Sequence, residues 1–159
     1  MDKIPITKAG YERLKKELEV LKTVDVPANI RDIEVARSHG DLSENAEYSA
    51  AKERQSYLHG RIQELENNLA NANVIDLQNV TVDRVVFGAT VSMRDVDSGK
   101  DIRYQLVGPL ESDIAQSRIS VTSPIGKALI GKGCGDEIRV KTPGGMRNLE
   151  IVDIDIEED

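Results

Sequence analysis

The sequence predicts an α+β protein: a long N-terminal antiparallel α-helical coiled-coil hairpin, followed by a C-terminal antiparallel β-sheet domain with one short helix. Two observations predict it. Apolar residues recur at helical spacing as far as about residue 75, and from Arg84 onward they fall in short runs bounded by turn residues. The 159 residues, 39% hydrophobic and 31% charged, have the composition of a folded chain with much surface for its core.

Two seams define the hairpin. Thr7 is suited to cap a first helix in which Tyr11, Leu14, Leu18 and Leu21 follow a 3-4-3 spacing along one stripe. Asp25 and Pro27 interrupt the pattern, so a kink or restart is expected near Thr23–Pro27, with Ile30 and Ile33 as the apolar positions beyond it, one residue off the earlier phase as a break allows. The second arm has a stricter seam of Leu58, Ile62, Leu65, Leu69 and Ala72, which extends backwards through Gln55, Ala51 and Tyr48. Between the arms lies Ser38-His39-Gly40-Asp41, where Gly40 is fit to end a helix. So short a link folds the arms back on one another. Arms of about 30 residues reach roughly 45 Å. The short link and the unlike patterns of the arms favour an intramolecular pair over a dimerising coiled coil, and the chain is expected to be a monomer.

Past a boundary near Asp76–Asp83 the expected strands are Val85-Val86-Phe87, Val91 with Met93, Ile102-Tyr104-Leu106, Ile119 with Val121, Ile138 with Val140, and Leu149-Ile151. Asp97-Ser98-Gly99-Lys100 and Thr142-Pro143-Gly144-Gly145 are turn chemistry. A short helix from Pro124 to about Ile130 has Ser123 as its cap and Gly131 after it. The hairpin is therefore assigned residues 1–76, with an acidic tip near 38–48, and the globular domain residues 80–159.

Composition excludes several classes. There is no Trp and a single Phe, which disfavours a nucleic-acid reader that stacks bases on rings. The formal net charge is −7, with eleven Lys/Arg against fourteen Asp/Glu in residues 1–78 and ten against fourteen in the remainder. Broad phosphate-backbone binding needs a basic face, so any contact with nucleic acid has to be local. The single cysteine, Cys134, leaves no internal disulfide and no multi-cysteine zinc site. No signal-peptide core and no span-length apolar run is present, so a cytoplasmic protein without a membrane partner is expected.

The most informative segment is Ser38-His39-Gly40-Asp41-Leu42-Ser43-Glu44-Asn45-Ala46-Glu47-Tyr48. It sets Asp41 and Glu44 three residues apart at the far end of a rod. Asp41-Leu42-Ser43-Glu44 has the pattern of a capping box, and acids suit the positive end of a helix dipole, so spacing alone favours a cap. The functional alternative is a pair of carboxylates that completes a metal site on another molecule. Two carboxylates do not hold Mg²⁺ alone, because that ion wants octahedral oxygen ligation. They can finish a two-metal site whose other ligands come from elsewhere.

Five segments decide between these. The tip, the long hairpin, Val86-Phe87-Gly88-Ala89-Thr90-Val91, Ile119-Ser120-Val121-Thr122-Ser123-Pro124-Ile125 and Lys141-Thr142-Pro143-Gly144-Gly145 occur in that order. Together they cover essentially the whole chain, which resembles the Gre family of bacterial transcript-cleavage factors, in its GreA branch. The resemblance implies an FKBP-like sheet domain that docks on the helical rim of the secondary channel of bacterial RNA polymerase. It implies a hairpin that enters the channel and stimulates the polymerase's intrinsic cleavage of backtracked RNA. The chain would then be no enzyme itself, but would lend carboxylates to the polymerase active site.

Carried over by residue, Asp41 and Glu44 match the metal- and water-organising acids, with Mg²⁺ shared with the polymerase and no cofactor bound stably by the chain alone. Asn45 and Tyr48 match tip neighbours that meet RNA or polymerase, though packing on the helix face explains them as well. Arg37 and Lys52 match a small basic patch facing the 3′ end of the backtracked RNA, and a solvated surface is the competing explanation. Arg54 and Arg61 share a face at i and i+7 and carry less weight. Ser120, Thr122 and Pro124 match the polymerase-docking loop, where Thr122 departs from the usual Asp or Asn. Three alternatives stand beside this. A channel-plugging inhibitor would keep the fold, but its tip would differ from Gly40-Asp41-Leu42-Ser43-Glu44-Asn45. An FKBP-type peptidyl-prolyl isomerase would need an aromatic pocket, and this half has only Phe87 and Tyr104 to offer. A zinc-bearing channel binder of the DksA type would need several cysteines.

Overall fold

The computed structural model of the chain describes residues 3–40, 45–77 and 83–156. By contacts the chain forms two units, Tyr11–Asn71 and Met1–Gly10 with Ala72–Asp159. This division differs from one at residues 76 and 80 in assigning two short strands, at either end of the hairpin, to the sheet-bearing unit.

Helix α1 (Lys8–Val20) opens at Thr7, whose Oγ1 accepts the Gly10 N–H at 3.0 Å, as a capping threonine should. Where a kink was expected, Leu21–Asp25 is a π-helical turn that runs into α2 (Val26–Arg37), with Pro27 in the first turn of α2. The Val26 N–H donates to the Leu21 carbonyl five residues back. A five-residue step around a wider turn keeps Leu21 and Val26 on one face. The buried positions that follow are Asn29, Ile33 and Ala36. Ile30, expected on the apolar face beside Ile33, is 47% exposed, since the buried stripe of α2 passes through Asn29 instead.

Helix α3 (Ala46–Ala70) is 25 residues long, about 37 Å of rod. Its seam is the expected one: Ala51, Leu58 and Leu65 are buried, and Leu58 and Leu65 pack with Leu21 in a core flanked by Leu14, Leu18, Val26 and Ile62. The seam stops at Leu69, since Ala72, expected as its last position, begins a strand. Polar links cross the hairpin, two of them at partly or fully buried positions. Asn29, only 3% exposed, donates from Nδ2 to the Ala51 carbonyl at 2.9 Å. Arg61 donates from Nε and Nη2 to the two carboxylate oxygens of Glu17, each at 2.9 Å, and from Nη1 to Glu64 at 2.9 Å. The Glu17 hydrogen bond is the main reason the Arg61 guanidinium holds its proton more tightly than usual. Among the described residues no helix is long and apolar enough to cross a membrane.

In the other unit, β1 (Ile4–Thr7) and β2 (Ala72–Ile75) pair in parallel, a small sheet that periodicity did not reveal. Four residues each, one of them Pro5, are too few to show alternation. The buried side chain of Glu111 holds β1 in place. Its Oε2 accepts the N–H groups of Thr7 and Gly108, both at 2.9 Å, and its Oε1 accepts the Thr7 hydroxyl. The fit is close: a Cβ on Gly10 would lie 2.0 Å from Glu111 Oε1, and one on Gly108 would lie 1.9 Å from the Pro5 carbonyl oxygen.

The main sheet has the order β5-β4-β3-β7-β6, from β3 (Thr90–Asp95), β4 (Asp101–Val107), β5 (Arg118–Ser120), β6 (Glu137–Thr142) and β7 (Gly145–Asp155). It is not wholly antiparallel as expected, because β4 and β5 run parallel. Parallel neighbours need a long return connection. The loop from Gly108 supplies it through a 3₁₀ turn, Ile114–Gln116, and Ser117 in the left-handed region at φ 58°. Val85-Val86-Phe87 is likewise not a strand. Val85 is buried, but its N–H donates to Lys132 and its carbonyl accepts from Gly131, so the loop after α4 (Pro124–Leu129) satisfies its backbone. One face of the sheet forms the core, from Val91, Met93, Leu106, Ile138, Val140, Leu149 and Ile151, and Leu129 of α4 belongs to the same cluster.

Candidate functional site

The candidate residues form two loci, one in each unit. In the helical unit, Asp41 and Glu44 lie outside the described residues, which end at Gly40 before them and resume at Asn45 after them. Before them, α2 ends in a turn: the Ser38 hydroxyl donates to the Val35 carbonyl at 2.5 Å, the Gly40 N–H donates to Arg37 at 3.3 Å, and Gly40 has φ +98°. That is the left-handed conformation in which glycine, lacking Cβ, carries no steric penalty.

After them, α3 starts at Ala46 with Asn45 as its N-cap. Asn45 Oδ1 accepts the Tyr48 N–H at 3.1 Å, while its Nδ2 donates across the hairpin to the Ala36 carbonyl at 2.7 Å. The helix start that a capping role for Asp41 would need is therefore taken by a different residue. His39 Nδ1 and Glu47 Oε2 also meet across the turn, at 2.9 Å.

Of the other tip candidates, Tyr48 is half-buried on the α3 face, and Arg37 and Lys52 are exposed. Lys52 Nζ donates to Gln55 Oε1 at 2.7 Å, and Arg37 has no ion pair among the described residues. Among those residues, then, nothing joins Arg37 and Lys52 into one contact. Arg54 stands 3.9 Å from Asp25, and Arg61 is committed to Glu17, so both belong to the hairpin's own framework. A groove between α2 and α3, lined by Asn29, Asp32, Val35, Glu47, Ala50, Ala51 and Arg54, runs behind the tip. Asn29 and the His39–Glu47 pair were not singled out from sequence. A polar residue at a seam position was the available signal for Asn29.

The second locus is the loop between β5 and α4. Ser120 is 8% exposed and braces the loop from inside. Its hydroxyl lies 2.6 Å from that of Thr122 and accepts the Thr122 N–H at 3.1 Å, while its carbonyl accepts the Ser123 hydroxyl at 2.6 Å. Ser123 caps α4, accepting the Gly126 N–H at 3.1 Å. Thr122 and Pro124 are left exposed on the outer surface. Of the three candidate docking residues, two can touch a partner directly and the third holds them in shape.

Oxygen donors of the Asp and Glu type suit a hard cation such as Mg²⁺. Among the described residues no group of three or more His, Cys, Asp or Glu side chains is placed to hold a metal ion.

Both parts of the chain match family models. The N-terminal domain of the GreA/GreB transcription elongation factors matches residues 4–74, and their C-terminal domain matches residues 79–156. The chain is 68% identical over 154 residues to transcription elongation factor GreA of Syntrophus aciditrophicus, covering 97% of this chain and 96% of that one. It is 58% identical over 151 residues to transcription elongation factor GreA of Rhodospirillum rubrum, at 95% and 96% coverage. A solved structure, the prokaryotic transcription elongation factor GreA/GreB from Nitrosomonas europaea, is 28% identical with a TM-score of 0.44, covering 96% of this chain and 99% of that one. A helical hairpin followed by a sheet unit, each half matched in order, defines a transcription elongation factor. Within that class the chain belongs to the GreA/GreB family.

Proposed function

We propose that this chain binds bacterial RNA polymerase, inserts its hairpin into the secondary channel, and stimulates the polymerase's own endonucleolytic cleavage of backtracked nascent RNA. Arrested complexes are thereby rescued. The observation that carries this is that both halves of the chain match the GreA/GreB transcription elongation factors in order, and the capping of α3 by Asn45 leaves Asp41 free of that structural duty.

Each group then has a distinct task. Asp41 and Glu44 would lend oxygen ligands to a Mg²⁺ ion shared with the polymerase, which this chain does not bind alone. When bound, that ion supplies Lewis-acid stabilisation of the phosphoryl oxygens and acidifies its water. The same carboxylates accept hydrogen bonds from the attacking water and so orient it. Arg37 and Lys52, exposed on α2 and α3, attract the phosphates of the extruded RNA 3′ end. Thr122 and Pro124 dock on the helical rim of the channel, with Ser120 bracing them. The chain itself is an accessory factor, and the bond-breaking site belongs to the polymerase.

The test is addition of the purified chain to backtracked polymerase complexes, with RNA length followed over time. Shortening of the RNA from its 3′ end and resumed elongation are expected. Blocked elongation without shortening would assign the chain an inhibitory role instead, and an unchanged RNA pattern would remove the proposal.

A further inference from the structure

The hairpin's end is tied together by side chains that no catalytic role accounts for. Asn45 uses both ends of its amide: Oδ1 accepts from the Tyr48 N–H, and Nδ2 reaches back to the Ala36 carbonyl at 2.7 Å. One residue thus starts α3 and links it to the last turn of α2. A second tie lies outside it, from His39 Nδ1 on the α2 side to Glu47 Oε2 in the first turn of α3, at 2.9 Å. These two ties bracket the segment that carries Asp41 and Glu44. Both ties are made by residues outside that segment.

The His39–Glu47 pair is exposed, at 51% and 69% of the two side chains, so it adds little to stability. A contact with little value for folding, set at the point where the chain must present two carboxylates accurately, points to placement. A displacement of about 1 Å in a catalytic group can lower a rate roughly 10²-fold. We infer that Asn45, His39 and Glu47 are positioning residues for transcript cleavage, setting the geometry in which Asp41 and Glu44 meet the polymerase. This rests on the cleavage function proposed above.

The experiment uses the full chain with purified backtracked polymerase. It measures the maximal cleavage rate and the factor concentration giving half of it. Asn45→Ser keeps a competent helix cap but is too short to reach Ala36. It is expected to lower the maximal rate about 10-fold or more while the half-saturating concentration stays within about 2-fold. Helix content and melting temperature of the free protein give the folding control. Glu47→Ala, which removes an exposed side chain, cannot act by unfolding the hairpin and is expected to lower the maximal rate in the same way.

Glu47→Gln separates placement from charge, because the amide oxygen can still accept from His39. Recovery of most of the rate lost in Glu47→Ala supports positioning. Equal loss in Glu47→Gln and Glu47→Ala would make Glu47 a third charged ligand and overturn the inference. So would full maximal rates in both Asn45→Ser and Glu47→Ala while Asp41→Asn is inactive. Wild-type rates in Asp41→Asn itself would overturn the cleavage reading beneath it, and the two failures are thereby told apart.

Discussion

At the scale of single residues, the decisive fact is which side chain caps α3. Asp41→Asn removes charge without changing size, and since Asn45 is the cap, no helix start is lost with it. The variant is expected to bind polymerase normally and lose cleavage about 10²-fold or more, as when a preorganised electrostatic group is removed. Raising Mg²⁺ should recover part of the loss, and Glu44→Gln should behave alike. Both variants cleaving at full rate across a magnesium titration would refute the assignment. A second residue-scale test concerns Asp95, whose carboxylate is held below its ordinary pKa chiefly by the Ser98 N–H, then by the Asp97 N–H and Arg147. A depressed pKa stabilises the fold above the unfolded value, and the contribution disappears as pH falls through the folded one. Carboxyl NMR should therefore find Asp95 titrating below ordinary aspartates. Asp95→Asn should flatten the acid limb of the stability curve, leaving stability near neutral pH to reflect the lost turn contacts alone.

At the scale of elements, the hairpin rests on one seam, and the π turn keeps that seam in phase. Leu58 and Leu65 are fully buried in it, so Leu58→Ala should cost about 2–5 kcal/mol in chemical denaturation. Deleting Thr23 from the π turn leaves Leu21 and Val26 four residues apart, which is an ordinary α-helical step on one face. The deletion should be tolerated, with circular dichroism and melting temperature close to the wild type. Deleting Glu34 from the interior of α2 has no turn to absorb it and should turn Ala36 out of register with Ile33. Equal destabilisation by the two deletions would remove the phase-keeping role of the π turn. The helical periods of both arms were legible in the sequence because buried leucines recur at 3.5-residue spacing. The one-residue phase shift was legible too, and Ile33 obeys it, but Ile30 was misplaced because apolar character was followed where the polar Asn29 occupies the buried position.

At the scale of the whole molecule, the two loci should separate in kinetics. Thr122→Lys changes an exposed side chain in the β5–α4 loop, and should raise the half-saturating factor concentration about 10-fold or more at unchanged maximal rate. Asp41→Asn should do the reverse, and should compete with the wild-type factor for polymerase. The sheet-bearing unit depends on the N-terminal strand. Gly108→Ala would drive a methyl group against the Pro5 carbonyl and disturb the bonds from Thr7 to Glu111. A loss of about 1–3 kcal/mol is expected from thermal or urea unfolding, as for other overpacked sites. Stability equal to wild type would show that β1 yields freely.

The sequence by itself determined the class of fold, the two seams, the caps at Thr7 and Ser123, the family, and the acidic segment with its candidate residues. These are carried by local spacing and side-chain chemistry, which act over a few residues and can be read in order. Only the tertiary structure decided that Asn45 rather than Asp41 caps α3, that Ser120 faces inward while Thr122 and Pro124 face out, and that Glu111 holds β1. It alone paired β1 with β2, and β4 with β5 in parallel. The physical reason is range. Thr7 and Glu111 are 104 positions apart, and Arg61 and Glu17 are 44 apart. A hydrogen bond or strand pairing between distant segments leaves no period in the chain, because its partner is set by where the backbone returns.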